Sequence, residues 1–233
     1  MFKFAKFLVL PLMATFALTG CDFSLEEMIS SLGSIEGSIS LPENTGEELP
    51  IPVEESKNKL LELAQTKGIE ANITAKASGE EEVELVVGIK GNSAWYYADE
   101  EKSGYKLVEN ELYAYTYDAE EEKYNPTLMP VENPQGIYDE FVQSSTIALF
   151  YAYGFDGGFT KVGSTTHAGR AATEYSYSFV ALGVSVQWKV VIDNELGITL
   201  FWGASGTNAE GESGSASYDV TSFKLGDDVV APF

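Results

Sequence analysis

The sequence predicts an α+β fold that is mainly antiparallel β: a curved up-and-down sheet or half-open barrel of about 8–10 strands, with two helices packed on its concave face. Three observations carry this. Two segments space their apolar residues as helices do, whereas most of the rest alternates with period two. Short Gly-, Asn- and Asp-containing separators join the alternating segments, which makes up-and-down order the default. A sheet that long must curl, close or split.

The first element is an export signal. Lys3 and Lys6 give a short positive region, and Phe7 to Ala17 is almost wholly apolar. Spanning a bilayer takes about 20 apolar residues, so this run is too short. Leu18-Thr19-Gly20-Cys21 follows and resembles the lipobox of bacterial lipoprotein precursors. The resemblance implies cleavage after residue 20 and a diacylglycerol on the Cys21 thiol. Cys21 is the only Cys, so no disulfide framework exists in this chain. Two or three acyl chains at about 0.8 kcal/mol per buried CH₂ anchor a protein durably.

Residues 21–54 read as the lipidated Cys and a flexible tether, rich in Ser, Gly, Glu and Pro. A random coil of that length reaches roughly 30 Å. Residues 55–233 read as one β-rich domain, long enough for one sizeable core. Its first helix is expected over 55–67, with Leu60, Leu61, Leu63 and Ala64 on one side, Ser56 as N-cap and Gly68 as stop. Strands are expected over 69–75, 83–90, 94–98, 105–108 and 111–117. Ser78-Gly79-Glu80, Gly91-Asn92 and Lys102-Ser103-Gly104 read as the turns between them.

Asn133-Pro134 opens a second helix expected to run to about Tyr153, where Gly154 ends it. Four long β segments follow: 170–180, 184–192, 198–202 and 217–225. Tyr175, Tyr177 and Phe179 share a face of the first, and Trp188, Val190 and Ile192 a face of the second. Asp193-Asn194-Glu195-Leu196-Gly197 is a strong turn.

Several features together resemble the LolA/LolB/LppX-like superfamily over roughly residues 56–225. They are the lipobox, linker and short helix ahead of an antiparallel meander, then Gly91-Asn92-Ser93-Ala94-Trp95-Tyr96-Tyr97 and the helix at 134–153. Ala168-Gly169-Arg170-Ala171-Ala172-Thr173-Glu174-Tyr175 and the strand–turn–strand run from Trp188 to Leu200 complete the set. The resemblance implies a half-open β-barrel holding helices in a hydrophobic concavity that binds acyl chains or other amphiphiles. It implies no catalytic residue. Members that shuttle between membranes are soluble, so an anchored chain fits an acceptor or lipid-binding role instead.

Charge and composition narrow the chemistry. The chain has 14 Lys and Arg against 36 Asp and Glu, a net charge of −22. Such a surface repels phosphate backbones, so no nucleic-acid partner is expected. His167 is the sole imidazole, in a turn-like stretch, and reads as a surface His. No Gly-x-Ser-x-Gly elbow occurs. One His and a modified Cys leave no basis for a zinc site or a Cys–His nucleophile. Carboxylate runs such as Asp118 to Glu122 lack EF-hand spacing and read as solvated turns. No catalytic residue, metal or cofactor is expected.

The aromatic residues are the informative ones. Tyr113, Tyr115 and Tyr117 share one strand face, and Trp95, Trp188 and Trp202 all fall in strands. Core packing explains such residues in any β protein. An apolar groove with polar tips explains them equally, because it is built from the same residue types. As a groove, its lining is expected from Tyr113, Tyr115, Tyr175, Tyr177, Trp188 and Trp202. The 134–153 helix is expected to cap the part formed by the last four. The expectation is a non-enzymatic lipoprotein, lipid-anchored through Cys21 on the extracytoplasmic side of a bacterial membrane, that binds lipid or another apolar ligand. The alternative is a structural or interaction lipoprotein with a closed core, meeting another envelope protein.

Overall fold

The structure is a computed structural model that describes residues 53–98, 101–147, 149, 160–181, 184–207 and 211–233. The signal segment, Cys21 and the tether up to residue 52 lie outside the described residues. So do residues 150–159, where the sequence places the end of the second helix. The last two expected tether positions, 53 and 54, open the first helix. Two helices stand among the described residues, α1 (Val53–Thr66) and α2 (Pro134–Ile147).

Eleven strands form one sheet: β1 (Ile69–Ala77), β2 (Val83–Lys90), β3 (Ser93–Ala98), β4 (Glu101–Val108), β5 (Glu111–Asp118), β6 (Lys123–Met129), β7 (Thr160–His167), β8 (Arg170–Ala181), β9 (Val184–Asp193), β10 (Thr199–Thr207) and β11 (Ser213–Leu225). Their order is β6-β5-β4-β3-β2-β1-β11-β10-β9-β8-β7, and every described pairing is antiparallel. Two up-and-down meanders thus meet where β1 pairs with β11. The sheet is curved and unclosed, with β6 and β7 as its edges.

Local chemistry explains most element ends. Gly68 stops α1 at φ +93°, and its N–H donates to Leu63 O at 3.0 Å. α1 begins at Val53, ahead of the expected Ser56 cap; Ser56 is fully buried inside the helix. Asn133 caps α2, its Oδ1 accepting from Gly136 N at 3.0 Å, with Pro134 in the first turn where a missing N–H costs nothing.

The sheet has more strands than expected, for identifiable reasons. Lys102-Ser103-Gly104 is strand rather than turn, since β4 starts at Glu101 and pairs with β3 through Trp95↔Gly104. β6 contains Asn125 and Pro126, poor strand formers that an edge tolerates because half its N–H groups meet no partner. β7 is a Gly-, Ser- and Thr-rich edge strand reaching His167, so the real turn there is Ala168-Gly169, at φ +48° and +75°.

The core sits on the helix side of the sheet. One cross-strand row runs Tyr175, Val190, Trp202, Tyr218, Ala75, Val83 through five successive ladders. Leu60 and Ala64 of α1 join the same buried cluster, as do Tyr138 and Val142 of α2. α2 lies over β2–β5: Phe141 packs edge-on to Tyr105 at 4.5 Å, and the Tyr138 hydroxyl donates to Gly91 O at 3.0 Å.

Candidate functional site

The expected groove residues fall on two faces. Tyr175, Tyr177, Trp188 and Trp202 line the helix side of β8–β10. Tyr175 is 2% exposed and Trp202 7%. Tyr177 and Trp188 oppose each other in the β8–β9 ladder, half-buried, with ring centroids 5.1 Å apart. The next positions along their row are Ala204, Ala216 and Ala77. Two large rings therefore stand beside a floor of three small residues, a profile that suits an apolar chain. The Trp202 indole Nε1 is buried without a hydrogen-bond partner.

Tyr113 and Tyr115 do not join this group. They sit on the opposite face of β5, at the far half of the sheet, in rows with Lys106 and Gly104. Sequence alternation assigns residues of one strand to two faces, but which face meets the core depends on register across the whole sheet. The end of the 134–153 helix expected to cap the quartet lies outside the described residues. The described part of α2, Pro134–Ile147, packs mainly on β2–β5. It follows β6 through a short connection, so it packs on the meander it has just left.

The face opposite the helices carries its own packing. Lys102 points between Tyr97 and Tyr117, with Nζ 5.9 and 4.7 Å from their ring centres. The Tyr124 hydroxyl donates to the Tyr97 hydroxyl at 2.8 Å. Burial pushes the Tyr97 pKa well up. Next to this group, residues 226–233 cross the sheet and Phe233 stacks on Tyr115.

Charged pairs cluster at the β7–β8 tip, which bends over β10 and β11. His167 Nε2 lies 2.7 Å from Asp219 Oδ1, and its ring is 6.1 Å from that of Phe201. Arg170 bonds Asp193, which is almost fully buried, and reaches Glu195 at 3.2 Å. Burial pulls the Arg170 pKa down, but the Asp193 hydrogen bond and charge outweigh it, and the net shift is upward. Asp193 Oδ1 also accepts from Glu195 N at 2.9 Å and Leu196 N at 2.6 Å. This pair closes the 193–197 turn and is structural. Its signal in the sequence is the Asp193-Asn194-Glu195-Leu196-Gly197 turn, which carries no mark of the Arg170 partner.

Among the described residues no group of three or more His, Cys, Asp and Glu could hold a metal ion. No described helix is long and apolar enough to cross a membrane.

No family model and no curated protein matches the chain. Among solved structures it is similar to an uncharacterized conserved protein from Thermus thermophilus, at 10% identity over 75% of this chain and 88% of that one, with a TM-score of 0.30. It is also similar to a β-barrel-like protein of a domain of unknown function from Brucella abortus, at 7% identity over 69% and 98%, with a TM-score of 0.18. Scores this low carry no argument, and the fold rests on strand order and register.

Proposed function

We propose that this chain is a membrane-anchored extracytoplasmic lipoprotein that holds a lipid or another apolar ligand on the helix side of β8–β11 and catalyses no reaction. One observation carries the ligand reading. The half-buried Tyr177–Trp188 pair stands in one apolar row with the small residues Ala204, Ala216 and Ala77, and the described part of α2 packs mainly on β2–β5. Apolar surface there gains roughly 25 cal/mol per Å² when a ligand covers it, before association costs. The open sheet agrees with the LolA/LolB/LppX-like resemblance read from the sequence. Anchoring rests on Leu18, Thr19, Gly20 and Cys21. The non-enzymatic reading rests on chemistry: the one imidazole is paired with a carboxylate on a sheet face, and the sequence offers no elbow Ser or free Cys for it to activate.

The second reading is a closed-core envelope protein with no ligand. The burial of Tyr175 and Trp202 favours it, because a filled core hides them as a ligand would. Native mass spectrometry of mature protein purified from its own membrane separates the two. The ligand reading predicts a co-purified lipid mass that survives gentle ionisation. Repeated spectra of bare polypeptide would favour the closed core.

A further inference from the structure

The helix side of β7–β11 carries two polar groups without a protein partner among the described residues, and together they specify more of a ligand than its apolar chain. The first is the Trp202 indole. Trp202 is 7% exposed, and its buried Nε1 has no hydrogen-bond partner. A buried N–H without an acceptor costs stability in a closed core, because it has left water and gained no oxygen. Trp95 shows that an orphaned indole alone is no sign of a ligand. Its Nε1 is also unpartnered, but its ring is fully buried against Gly88 on the opposite face.

Trp202 differs in its neighbours. Its row runs through Val190 and Tyr175 and ends on the β7 edge at Lys161, the second group. Directly paired residues of an antiparallel ladder share a face, so Lys161 projects from the rim of the helix side. It is exposed and makes no ion pair among the described residues, whereas Lys76, Lys123, Lys189 and Lys224 each find a carboxylate. Across β8–β10 its row is otherwise uncharged, as is the neighbouring Tyr177–Trp188–Ala204 row. One cation therefore stands at the open edge of an uncharged aromatic floor. One orphaned donor stands three strands inside it, about 14 Å away between backbones.

Burial decides which acceptor each donor takes. A carboxylate or phosphate pressed against Trp202 would be a buried charge facing one neutral donor, which is costly. A neutral carbonyl oxygen is satisfied by the indole N–H. At Lys161 the preference reverses, because an anion at the exposed rim keeps most of its water and gains the ammonium. We propose, on the ligand reading above, that the ligand is an acyl ester with an anionic head. The head sits at Lys161, an ester carbonyl accepts from Trp202 Nε1, and the acyl chain lies along the Tyr177–Trp188 row over Ala204. A glycerophospholipid has these parts in this order. A free fatty acid has one acceptor group for two donors, and a hydrocarbon has none.

Competition tests this, with the full chain holding a fatty acid brominated on its chain and recovery of tryptophan emission as the readout. Three competitors share the same pair of short chains: a phosphatidylglycerol, its ether-linked analogue without carbonyls, and the neutral diacylglycerol. In wild type the phosphatidylglycerol is expected to bind about fivefold more tightly than the ether, as one net hydrogen bond gives. It is expected to bind roughly threefold more tightly than the diacylglycerol, as one exposed ion pair gives. Trp202→Phe should erase only the ester preference, with Trp188 still reporting, and Lys161→Met only the head preference. Equal displacement by ester and ether in wild type, with the fatty acid bound, would overturn the inference and leave the ligand reading standing. An ester preference that survives in Trp202→Phe would overturn it as well. A fatty acid that never binds wild type saturably would take down the ligand reading and this inference together. The wild-type comparisons decide the matter even if a variant does not fold.

Discussion

The Tyr138 hydroxyl donates to the Gly91 carbonyl at 3.0 Å, tying α2 to the β2–β3 turn from a position 2% exposed. Burial pushes its pKa up, with a smaller push from Asp139. An unfolded tyrosine ionises near about 10, so the folded chain keeps this proton to higher pH than the unfolded chain does. Stability from this group is whole below about pH 10 and falls as pH rises above it. Tyr97, Tyr105 and Tyr124 shift in the same direction, all three with burial as the main cause. Tyr138→Phe is therefore predicted to lose stability less steeply between about pH 10 and 12, by up to roughly 1.4 kcal/mol per pH unit. Urea midpoints across that range check it, and parallel curves for the two proteins would contradict it.

Asp193 is the hub of the β9–β10 turn. Its carboxylate takes Arg170 and two backbone N–H groups while almost fully buried. Removing one partner of such a pair leaves the other charge unmatched, at a cost of about 3–5 kcal/mol. Asp193→Ala is predicted to fall in that range by urea unfolding. Arg170→Met with Asp193→Leu should recover part of it, because two apolar side chains need no partner. A single-mutant loss under about 1 kcal/mol would mean the pair is solvated.

Cys21→Ser is predicted to abolish acylation and release the protein from membranes. The lipobox-like Leu18-Thr19-Gly20-Cys21 run motivates this, with no described helix able to span a bilayer. Retention of the Ser variant after salt and carbonate washes would contradict the anchor.

Much of the fold was legible because local chemistry and global packing agree at the element ends. Gly68, Asn133-Pro134 and the 193–197 turn act in the structure as their residue types dictate. The edge strands β6 and β7 were not legible. An edge needs little β propensity, so Pro126 and the Gly163-Ser164-Thr165-Thr166 run can sit in strands that do not advertise themselves. The split of the aromatic set was not legible for a different reason. Tyr115 and Tyr175 have the same local pattern, and only the accumulated register of seven intervening strands sends them to opposite faces. The crossing of residues 226–233 was not legible because Phe233 has no periodic neighbours. Its hollow is the absent side chain of Gly104, a residue that read as part of a turn.

The central claim is that an apolar chain occupies the Tyr177–Trp188–Trp202 side of the sheet, and acyl-chain quenching tests it most directly. Bromine on a fatty acid quenches indole emission only at contact range, and Trp95 lies on the opposite face, over Gly88. Titrating brominated fatty acid into wild type is predicted to quench emission saturably. The Trp188→Phe/Trp202→Phe protein, whose remaining indole is Trp95, is predicted to show no saturable loss. Absence of saturable quenching in wild type, or equal quenching in both proteins, would contradict the account.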